Sequence, residues 1–236
     1  MAPNSRLILT RHAQAEHNVD LDYSIPDAPL TPLGKKQAAS LAHQIPQLQQ
    51  SAEVIISSPL RRTLQTTSLG WGPAVARLGG PKHVVVLPQA QECNDFPCDT
   101  GSARGALEAD PEFAAFDLSP LAADWTSKRG FWAATEAALA ARARWVRRYL
   151  RDRPERDIVL VAHGDILRRI TGRPDGDSVY PWRNAEVRIF EFDPEFVDSD
   201  DPWLFQREDV AAAGGYAPTS TEADIAPPPP PADGKL

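Results

Sequence analysis

The sequence predicts an α/β fold, in which helices cover both faces of a mainly parallel sheet. Short apolar runs alternate along the chain with segments that have helical spacing. The apolar runs are residues 6–10, 54–56, 84–87, 158–162 and 187–192. Histidines follow the first and the fourth of these runs, at His12 and His163. Because ligands bind at the carboxyl ends of strands in open α/β sheets, we expect both histidines at the ligand-binding edge.

Residue types within each run support the strand predictions. Residues 6–10 and 158–162 are rich in Leu, Ile and Val, which is typical of short buried strands. Residues 84–87 are ended by Pro88, which cannot continue a ladder. The run 187–192 alternates between apolar and polar residues, so this strand is expected to have one half-exposed face.

Helix signals occupy the intervening segments. Thr31 and Pro32 have the residue types preferred at the N-cap and first position of a helix, and Pro46 predicts its end. The predicted helices are residues 32–45, a segment that opens at 57–59 and carries Arg61, Arg62 and Thr66, residues 131–151, and residues 165–170. The helix over 131–151 is rich in Ala and Arg, which are good helix formers.

Three segments lack a regular pattern. Residues 13–30 are polar and contain prolines, which predicts a loop. Residues 89–130 are interpreted as an excursion with one or two short helices, for instance near 111–116, and 93–130 is expected to cover the site. From about residue 208 the chain loses strongly apolar residues and becomes proline-rich. We therefore expect one catalytic domain over 1–207 and a disordered tail over 208–236.

Composition excludes several classes of protein. A formal net charge of -7 over 236 residues argues against a nucleic-acid binder. No run approaches the ~20 apolar residues that a transmembrane helix needs. Cys93 and Cys98 are too few for a disulfide scaffold, and with no histidine nearby they do not favour zinc. Without a secretion signal at the N-terminus, the expected location is the cytoplasm. No metal, cofactor or membrane partner is predicted, and no oligomeric state.

Arginines near the two histidines indicate phosphate chemistry. Arg11 precedes His12, and Arg61 and Arg62 follow the second strand. The planar guanidinium matches phosphate oxygens bidentately. Neighbouring helical residues point about 100° apart, so only one of this pair should face the site. We take Arg62 as the inward residue and Arg61 as the outward one.

These motifs together resemble the histidine phosphatase superfamily, the phosphoglycerate-mutase-like group. The resemblance runs from Arg6 to about Phe192. It is carried by Thr10-Arg11-His12-Ala13, Asn18, the segment 57–66, Glu92, and Val161-Ala162-His163-Gly164. Many members have glycine where this chain has Ala13, but phosphatase branches often have alanine. The segment 93–101 does not match the mutase pattern, which favours the phosphatase branch.

The resemblance implies a three-layer α/β/α sandwich around a mixed sheet and assigns roles to individual residues. His12 would be the nucleophile that becomes phosphorylated, and Arg11, Arg62 and His163 would surround the phosphoryl group. Asn18 would add a hydrogen-bond donor, with Gln14 as a further one. Glu92 stands where the proton donor is expected, and Asp95 and Asp165 are its rivals.

The implied activity is that of a metal-independent phosphomonoesterase acting on a small-molecule phosphate ester. The alternatives are a phosphoglycerate-mutase-type phosphotransferase and a non-catalytic relative that binds a phosphorylated ligand.

Three physical expectations accompany this assignment. A backbone carbonyl near His12 should fix its tautomer, leaving the other ring nitrogen free to attack. The Asp165 amide, at a helix start, should donate to the bound anion. The pKa of Glu92 should be raised by burial or by a nearby negative charge, because a proton donor must be protonated.

The composition of the excursion bears on the substrate. Acidic residues dominate residues 93–130, so the cover should repel polyanions such as a bisphosphorylated sugar acid. Its aromatic residues could line an apolar pocket or form a small satellite core. They are Phe96, Phe113, Phe116, Trp125, Phe131 and Trp132. The hypothesis is a monophosphate ester with a neutral or apolar body.

Overall fold

A computed structural model of the chain describes residues 5–206 and 211–225. Within these residues, six strands form one sheet in the order β3-β2-β4-β1-β5-β6. The strands are β1 (Arg6–Arg11), β2 (Val54–Ser57), β3 (Val85–Val86), β4 (Asp157–Ala162), β5 (Val187–Phe192) and β6 (Leu204–Phe205). The first four run parallel, whereas β5 pairs antiparallel with β1 and β6 antiparallel with β5. The mixed, mainly parallel sheet is confirmed.

Helices lie on both sides of this sheet. They are α1 (Glu16–Val19), α2 (Pro32–Gln44), α3 (Pro46–Ser51), α4 (Arg61–Gly70), α5 (Gly72–Arg77), α6 (Arg104–Ala109), α7 (Glu136–Arg151) and α8 (Gly164–Ile170). Thr31 caps α2 as predicted, since its Oγ1 accepts the Gly34 N–H at 2.9 Å. Alternate residues of β1 point to opposite faces, so Ile8 packs with α2 and α4, and Leu7 with α7 and α8.

Several element boundaries differ from the sequence-based expectations. The long helix begins at Glu136 rather than 131, because Gly130–Trp132 forms a 3₁₀ turn. Only Val85 and Val86 of the run 84–87 pair with β2. The predicted loop 13–30 contains α1, and the short helix of the excursion lies at Arg104–Ala109 rather than near 111–116. Pro46 ends α2 as expected but also starts α3, the position where proline is tolerated.

The aromatic residues of the excursion divide between the core and the wall of a cavity. Phe113, Phe116 and Trp125 are buried in the same core cluster as α2 and α4, so they extend the main core instead of forming a separate satellite core. Phe96 is 44% exposed and lines a cavity.

Residues 211–225, which we name the C-terminal strap, pack on the body of the molecule. Backbone bridges join Val187 to Ala213 and Asn184 to Tyr216. The buried Tyr216 hydroxyl lies 2.9 Å from Ser40 Oγ on α2. The expectation of disorder from 208 onward is therefore wrong for 211–225, because the buried aromatic ring and the bridges anchor this polar segment. Residues 207–210 and 226–236 lie outside the described part of the chain.

Candidate active site

His12 lies at the carboxyl end of β1, in the centre of the sheet. Its N–H donates to Ala162 O at 2.9 Å, and its carbonyl accepts the Ala185 N–H at 3.1 Å. The ring is 1% exposed, and Nδ1 lies 2.7 Å from Ala13 O. A carbonyl can only accept, so Nδ1 carries the proton and Nε2 keeps a lone pair. Among the described residues, Nε2 has no hydrogen-bond partner. Ala13 supplies the tautomer-fixing carbonyl that the sequence analysis expects.

His163 follows the neighbouring strand β4 and meets His12 at the same sheet edge. Arg11 is in register with Ala162 across the parallel pair, so the next residue of each strand is a histidine. The two ring centroids are 5.2 Å apart. Arg62 Nε donates to His163 Nδ1 at 3.2 Å, so the neutral ring carries its proton on Nε2, which lies 2.8 Å from Ser58 Oγ. Both ring nitrogens of His163 are therefore occupied.

Arg62 connects α4 to the excursion. Its side chain is fully buried, and Nη1 and Nη2 donate to Cys98 O at 2.5 Å and to Asp99 Oδ1 at 2.9 Å. Arg61, one position earlier, points away to an ion pair with Asp110 at the surface. The two arginines point in different directions as helical spacing predicts, and Arg62 is the buried one of the pair.

Arg11 is the second guanidinium of the site. Nη1 donates to the Trp182 carbonyl at 2.5 Å, and the buried Nε has no partner among the described residues. Burial lowers its pKa, but arginine remains charged at any physiological pH. An unsatisfied buried cationic donor is costly, so this group favours a bound anion.

Glu92 lies where the sequence analysis places the proton donor. Its carboxylate accepts the N–H groups of Cys93 at 2.8 Å, Ile166 at 3.0 Å and Asp165 at 3.3 Å. Burial raises the pKa of Glu92, and the charges of Asp99 and Asp165 raise it further. This increase outweighs the lowering by Arg62 and by the Cys93 N–H. The direction is the one that a proton donor requires.

The amide of Asp165 is engaged differently from the expectation. It donates to Glu92 rather than remaining open for a substrate anion, because the buried carboxylate takes the positive end of α8. Asp95 and Asp165, the two alternatives to Glu92 as proton donor, are both exposed. Asp165 Oδ1 lies 3.5 Å from Arg168 Nη1. Asp165 lines the cavity, and Asp95 is not part of its wall.

The two expected amide donors have different positions. Asn18 lines the cavity, and its Oδ1 accepts the Ala15 N–H at 3.0 Å. Gln14 is buried away from the cavity wall, with its Oε1 accepting from Thr31 Oγ1 at 2.8 Å. These contacts do not support the expectation that Gln14 contacts substrate, because its side-chain oxygen is bound to Thr31. Its backbone is also packed against α2, where a Cβ added to Gly34 would lie 1.9 Å from Gln14 O.

His17 is a site residue that the sequence analysis does not identify. Asn18 Nδ2 donates to His17 Nε2 at 3.0 Å, so the neutral ring carries its proton on Nδ1. Nδ1 is buried without a partner among the described residues, and the ring lies 5.9 Å from that of His12. Burial, followed by the charges of Arg62 and Arg11, lowers its pKa to about 3. The sequence feature that could have identified His17 is its position next to Asn18 and five residues after His12.

Ser58, Asp99 and the segment 182–184 also escape the sequence analysis. Ser58 follows β2 directly and orients His163, and Asp99 pairs with Arg62. Asn184 lines the cavity, and its buried Oδ1 has no partner among the described residues. None of these residues has a distinctive spacing, so only the folded chain shows their roles.

A cavity of about 520 Å³ opens above this cluster. Its polar wall is formed by Arg11, His17, Asn18, Glu92, Asn94, Asp99, Asp165, Arg183 and Asn184. Apolar surface comes from Leu21, Tyr23, Phe96, Trp182 and Tyr216.

Among residues 5–206 and 211–225, no group of three or more His, Cys, Asp or Glu side chains is placed to hold a metal ion. No helix in the same ranges is long and apolar enough to cross a bilayer.

The family model of the histidine phosphatase superfamily (branch 1) matches residues 7–198. The chain therefore belongs to the histidine phosphatase superfamily, and the resemblance carried by its motifs is confirmed. It is 29% identical over 216 residues to a Schizosaccharomyces pombe protein named as a probable phosphatase, covering 85% of this chain and 94% of that one.

Solved structures show the same fold. The α-ribazole phosphatase from Shigella flexneri matches with a TM-score of 0.58 and 21% identity, covering 90% of this chain and 98% of that one. A phosphoserine phosphatase mutant from Entamoeba histolytica, solved in complex with phosphoserine, matches with a TM-score of 0.53 and 22% identity. That match covers 86% of this chain and 95% of the phosphoserine phosphatase.

Proposed function

We propose that this protein is a metal-independent phosphomonoesterase that works through a phosphohistidine at His12. The observation that carries the proposal is the state of the His12 ring, whose Nδ1 proton is fixed by Ala13 O while Nε2 has no partner among the described residues. Such a nitrogen is a nucleophile that needs no further activation. Burial and the charges of Arg62 and Arg11 hold the pKa of His12 well below its usual value, so the ring stays neutral.

In the first step, His12 Nε2 forms a bond to phosphorus while the bond from phosphorus to the ester oxygen breaks. Phosphoryl transfer proceeds through a loose transition state, so catalysis depends on positioning and on charge stabilisation. Arg11 supplies an unpartnered buried donor, and Arg62 supplies a second positive charge within the cluster. The positive charges of the site thus balance the negative charge of the phosphoryl oxygens.

Glu92 handles the proton. In its protonated form it donates to the departing ester oxygen, which leaves as an alcohol. The resulting carboxylate then accepts a proton from water, whose oxygen bonds to phosphorus as the bond to His12 Nε2 breaks. The products are inorganic phosphate, the alcohol and the original enzyme. The raised pKa of Glu92 supports this role because it keeps the proton available.

The test is an assay of phosphate release from a panel of small phosphate esters, with a chelator present. We expect free phosphate and, after acid-free denaturation, a phosphoprotein that is labile to acid. A His12→Asn variant should give neither, and wild-type turnover in the presence of glycerol should yield phosphate rather than glycerol phosphate. Phosphate release that His12→Asn leaves unchanged would contradict the mechanism, and transfer mainly to glycerol would favour a phosphotransferase.

A further inference from the structure

Three large apolar side chains are exposed at the mouth of the catalytic cavity. Leu21 is 65% exposed, and Tyr23 and Phe96 are each 44% exposed. All three line the cavity that also contains Arg11 and Glu92. Exposed apolar surface gathered at one site marks a place where a ligand or partner is bound, whereas scattered exposed residues need no explanation. We name these three residues the apolar lip.

The apolar lip has a defined geometry. The rings of Tyr23 and Phe96 are stacked, with centroids 5.2 Å apart and an interplanar angle of 17°. Leu21 has a φ of +54°, a conformation that is uncommon for residues other than glycine. Backbone held in such a region is often associated with a functional site. The lip therefore presents a flat aromatic surface and one aliphatic side chain beside it.

Hydrogen bonds connect the lip to the catalytic cluster through a single residue. The Cys98 N–H donates to Tyr23 O at 3.2 Å, while Cys98 O accepts from Arg62 Nη1 at 2.5 Å. The Asp27 N–H donates to Pro97 O at 3.1 Å, and the Asp27 carboxylate accepts from Ser102. These bonds hold the segment that carries Tyr23 against the segment that carries Phe96. Because of these bonds, the lip is held in place relative to the guanidinium of Arg62.

Two acidic side chains of the cavity wall are already engaged within the protein. Asp99 is paired with Arg62, and Glu92 is bound to backbone amides. Arg183 and Asp165 are exposed charges of opposite sign on the wall, and Trp182 and Tyr216 add apolar surface to it. The apolar lip is therefore a large surface that a phosphate ester can contact beyond its phosphoryl group.

We infer that the apolar lip is a subsite for the leaving group, and that the preferred substrates are phosphomonoesters with a flat apolar body. This inference rests on the proposed phosphatase function and adds the substrate class to it. Stacking on the outer face of the Tyr23–Phe96 ring pair removes apolar surface from water, which stabilises the complex in proportion to the buried area. The effect should fall on KM and kcat/KM, because the lip lies away from the reacting atoms.

The test compares two esters that have alkoxide leaving groups, 2-naphthylmethyl phosphate and ethyl phosphate. Because both leaving groups are alkoxides, a difference in kcat/KM between these esters reports binding of the body of the ester. Aryl phosphates would not serve, because a phenolate is also a better leaving group than an alkoxide. We expect the wild-type protein to prefer the naphthylmethyl ester by about tenfold or more in kcat/KM, the scale of burying part of one aromatic ring. The double variant Tyr23→Ala with Phe96→Ala should lose this preference, because its kcat/KM should fall about tenfold more for the naphthylmethyl ester, through a higher KM, than for ethyl phosphate.

Phe131→Ala provides the matched control, because Phe131 is an aromatic residue 38% exposed that does not line the cavity. It should keep the preference. Equal or faster hydrolysis of ethyl phosphate or phosphoserine by the wild-type protein would overturn the inference, as would a folded double variant that retains the preference. If no ester is hydrolysed and no phosphohistidine forms, the proposed function fails and the substrate class fails with it.

Discussion

The carboxyl ends of β1 and β4 resemble each other in burial and charge but differ in their hydrogen bonds. His12 and His163 are both buried, and for both rings burial is the largest cause of a pKa well below the usual value. Arg62 lowers the pKa of each ring further. However, among the residues that the structure describes, His12 uses only Nδ1, to Ala13 O, whereas His163 uses both ring nitrogens.

This difference shows what distinguishes a nucleophile from its neighbour. Electrostatics alone would assign the same role to both rings, because both are neutral and both face Arg62. The hydrogen-bond partners decide which ring nitrogen carries a free lone pair. Of these two histidines, only His12 has a lone pair, on Nε2, that no described residue contacts by a hydrogen bond. His163 instead forms part of the surrounding pocket, fixed by Ser58 and Arg62. Substitutions at and around the two strand ends test this contrast.

The largest effect is expected for His12→Ala. Removal of the nucleophile should lower kcat by about 10⁴-fold or more, the scale seen when a covalent nucleophile is deleted. Rapid-quench experiments with a radiolabelled phosphate ester should detect no phosphoprotein in this variant. Formation of the labelled phosphoprotein at a normal rate would show that another residue, such as His163 or His17, is the nucleophile.

Glu92→Gln should have the next largest effect, a loss of about 10²- to 10⁴-fold in kcat for alkyl esters. The wild-type rate should fall as the pH rises through the raised pKa of Glu92, because the donor must be protonated. On the acid side, the rate should fall only well below pH 6.5, where His12 becomes protonated. The variant should lose the alkaline limb and keep the acid one, and a pH profile unchanged in shape would reject Glu92 as the donor.

His163→Ala should reduce kcat by about 10²- to 10³-fold, because the ring accepts from Arg62 Nε and its loss releases the guanidinium that stabilises the transition-state charge. In contrast to His12→Ala, this variant should still form the phosphoprotein, although slowly. Trapping of the radiolabelled phosphoprotein by acid-free denaturation over a long time course provides the measurement. Complete absence of phosphoprotein in a folded His163→Ala variant would mean that the nucleophilic role is not confined to His12.

Ser58→Ala should have a smaller effect, about five- to tenfold on kcat/KM, since it removes one hydrogen bond that orients His163. The phosphoprotein should form on His12 as in the wild type. A Ser58→Thr variant keeps the hydroxyl and serves as the control. Equal losses in Ser58→Ala and Ser58→Thr would attribute the effect to packing rather than to the hydrogen bond.

The smallest effect on catalysis is expected from the C-terminal strap. Gly214 has a φ of +64°, and an added Cβ would lie 1.8 Å from Ala185 O. Gly214→Ala should therefore displace the strap from the turn that binds the His12 carbonyl. We expect a loss of about 1–3 kcal/mol in unfolding free energy and a KM raised severalfold, measured by denaturation and by steady-state kinetics.

Gly105→Ala is the control for this prediction. It lies in α6, where an added Cβ meets nothing within 4 Å, so the protein should keep its stability and its KM. If Gly214→Ala behaves like Gly105→Ala, the strap does not support the His12 side of the site.

Much of the site could be predicted because it depends on strand order. The histidines follow apolar runs, and the parallel register of β1 with β4 brings them together. Helical spacing predicts that only one of Arg61 and Arg62 faces the site, and the family resemblance selects Arg62. These features are local, or they follow from a general rule about the carboxyl edge of a parallel sheet.

The remaining features depend on contacts between distant segments. Glu92 takes the amides of α8, more than 70 residues away, so the expected phosphate contact of Asp165 could not be judged from sequence. The unpartnered proton on His17 requires knowledge of its burial and of Asn18. The strap escaped prediction because composition averages over a segment, whereas one buried residue, Tyr216, fixes it.

The central position of β1 has a consequence for synthesis. This strand comes first in the chain, yet its partners are Asp157–Ala162 on one side and Val187–Phe192 on the other. Roughly 180 residues must leave the ribosome before the sheet can close, which takes about 10 to 40 s at ordinary elongation rates. During that interval an apolar N-terminal strand has unpaired edges, so the nascent chain is a natural client for a chaperone.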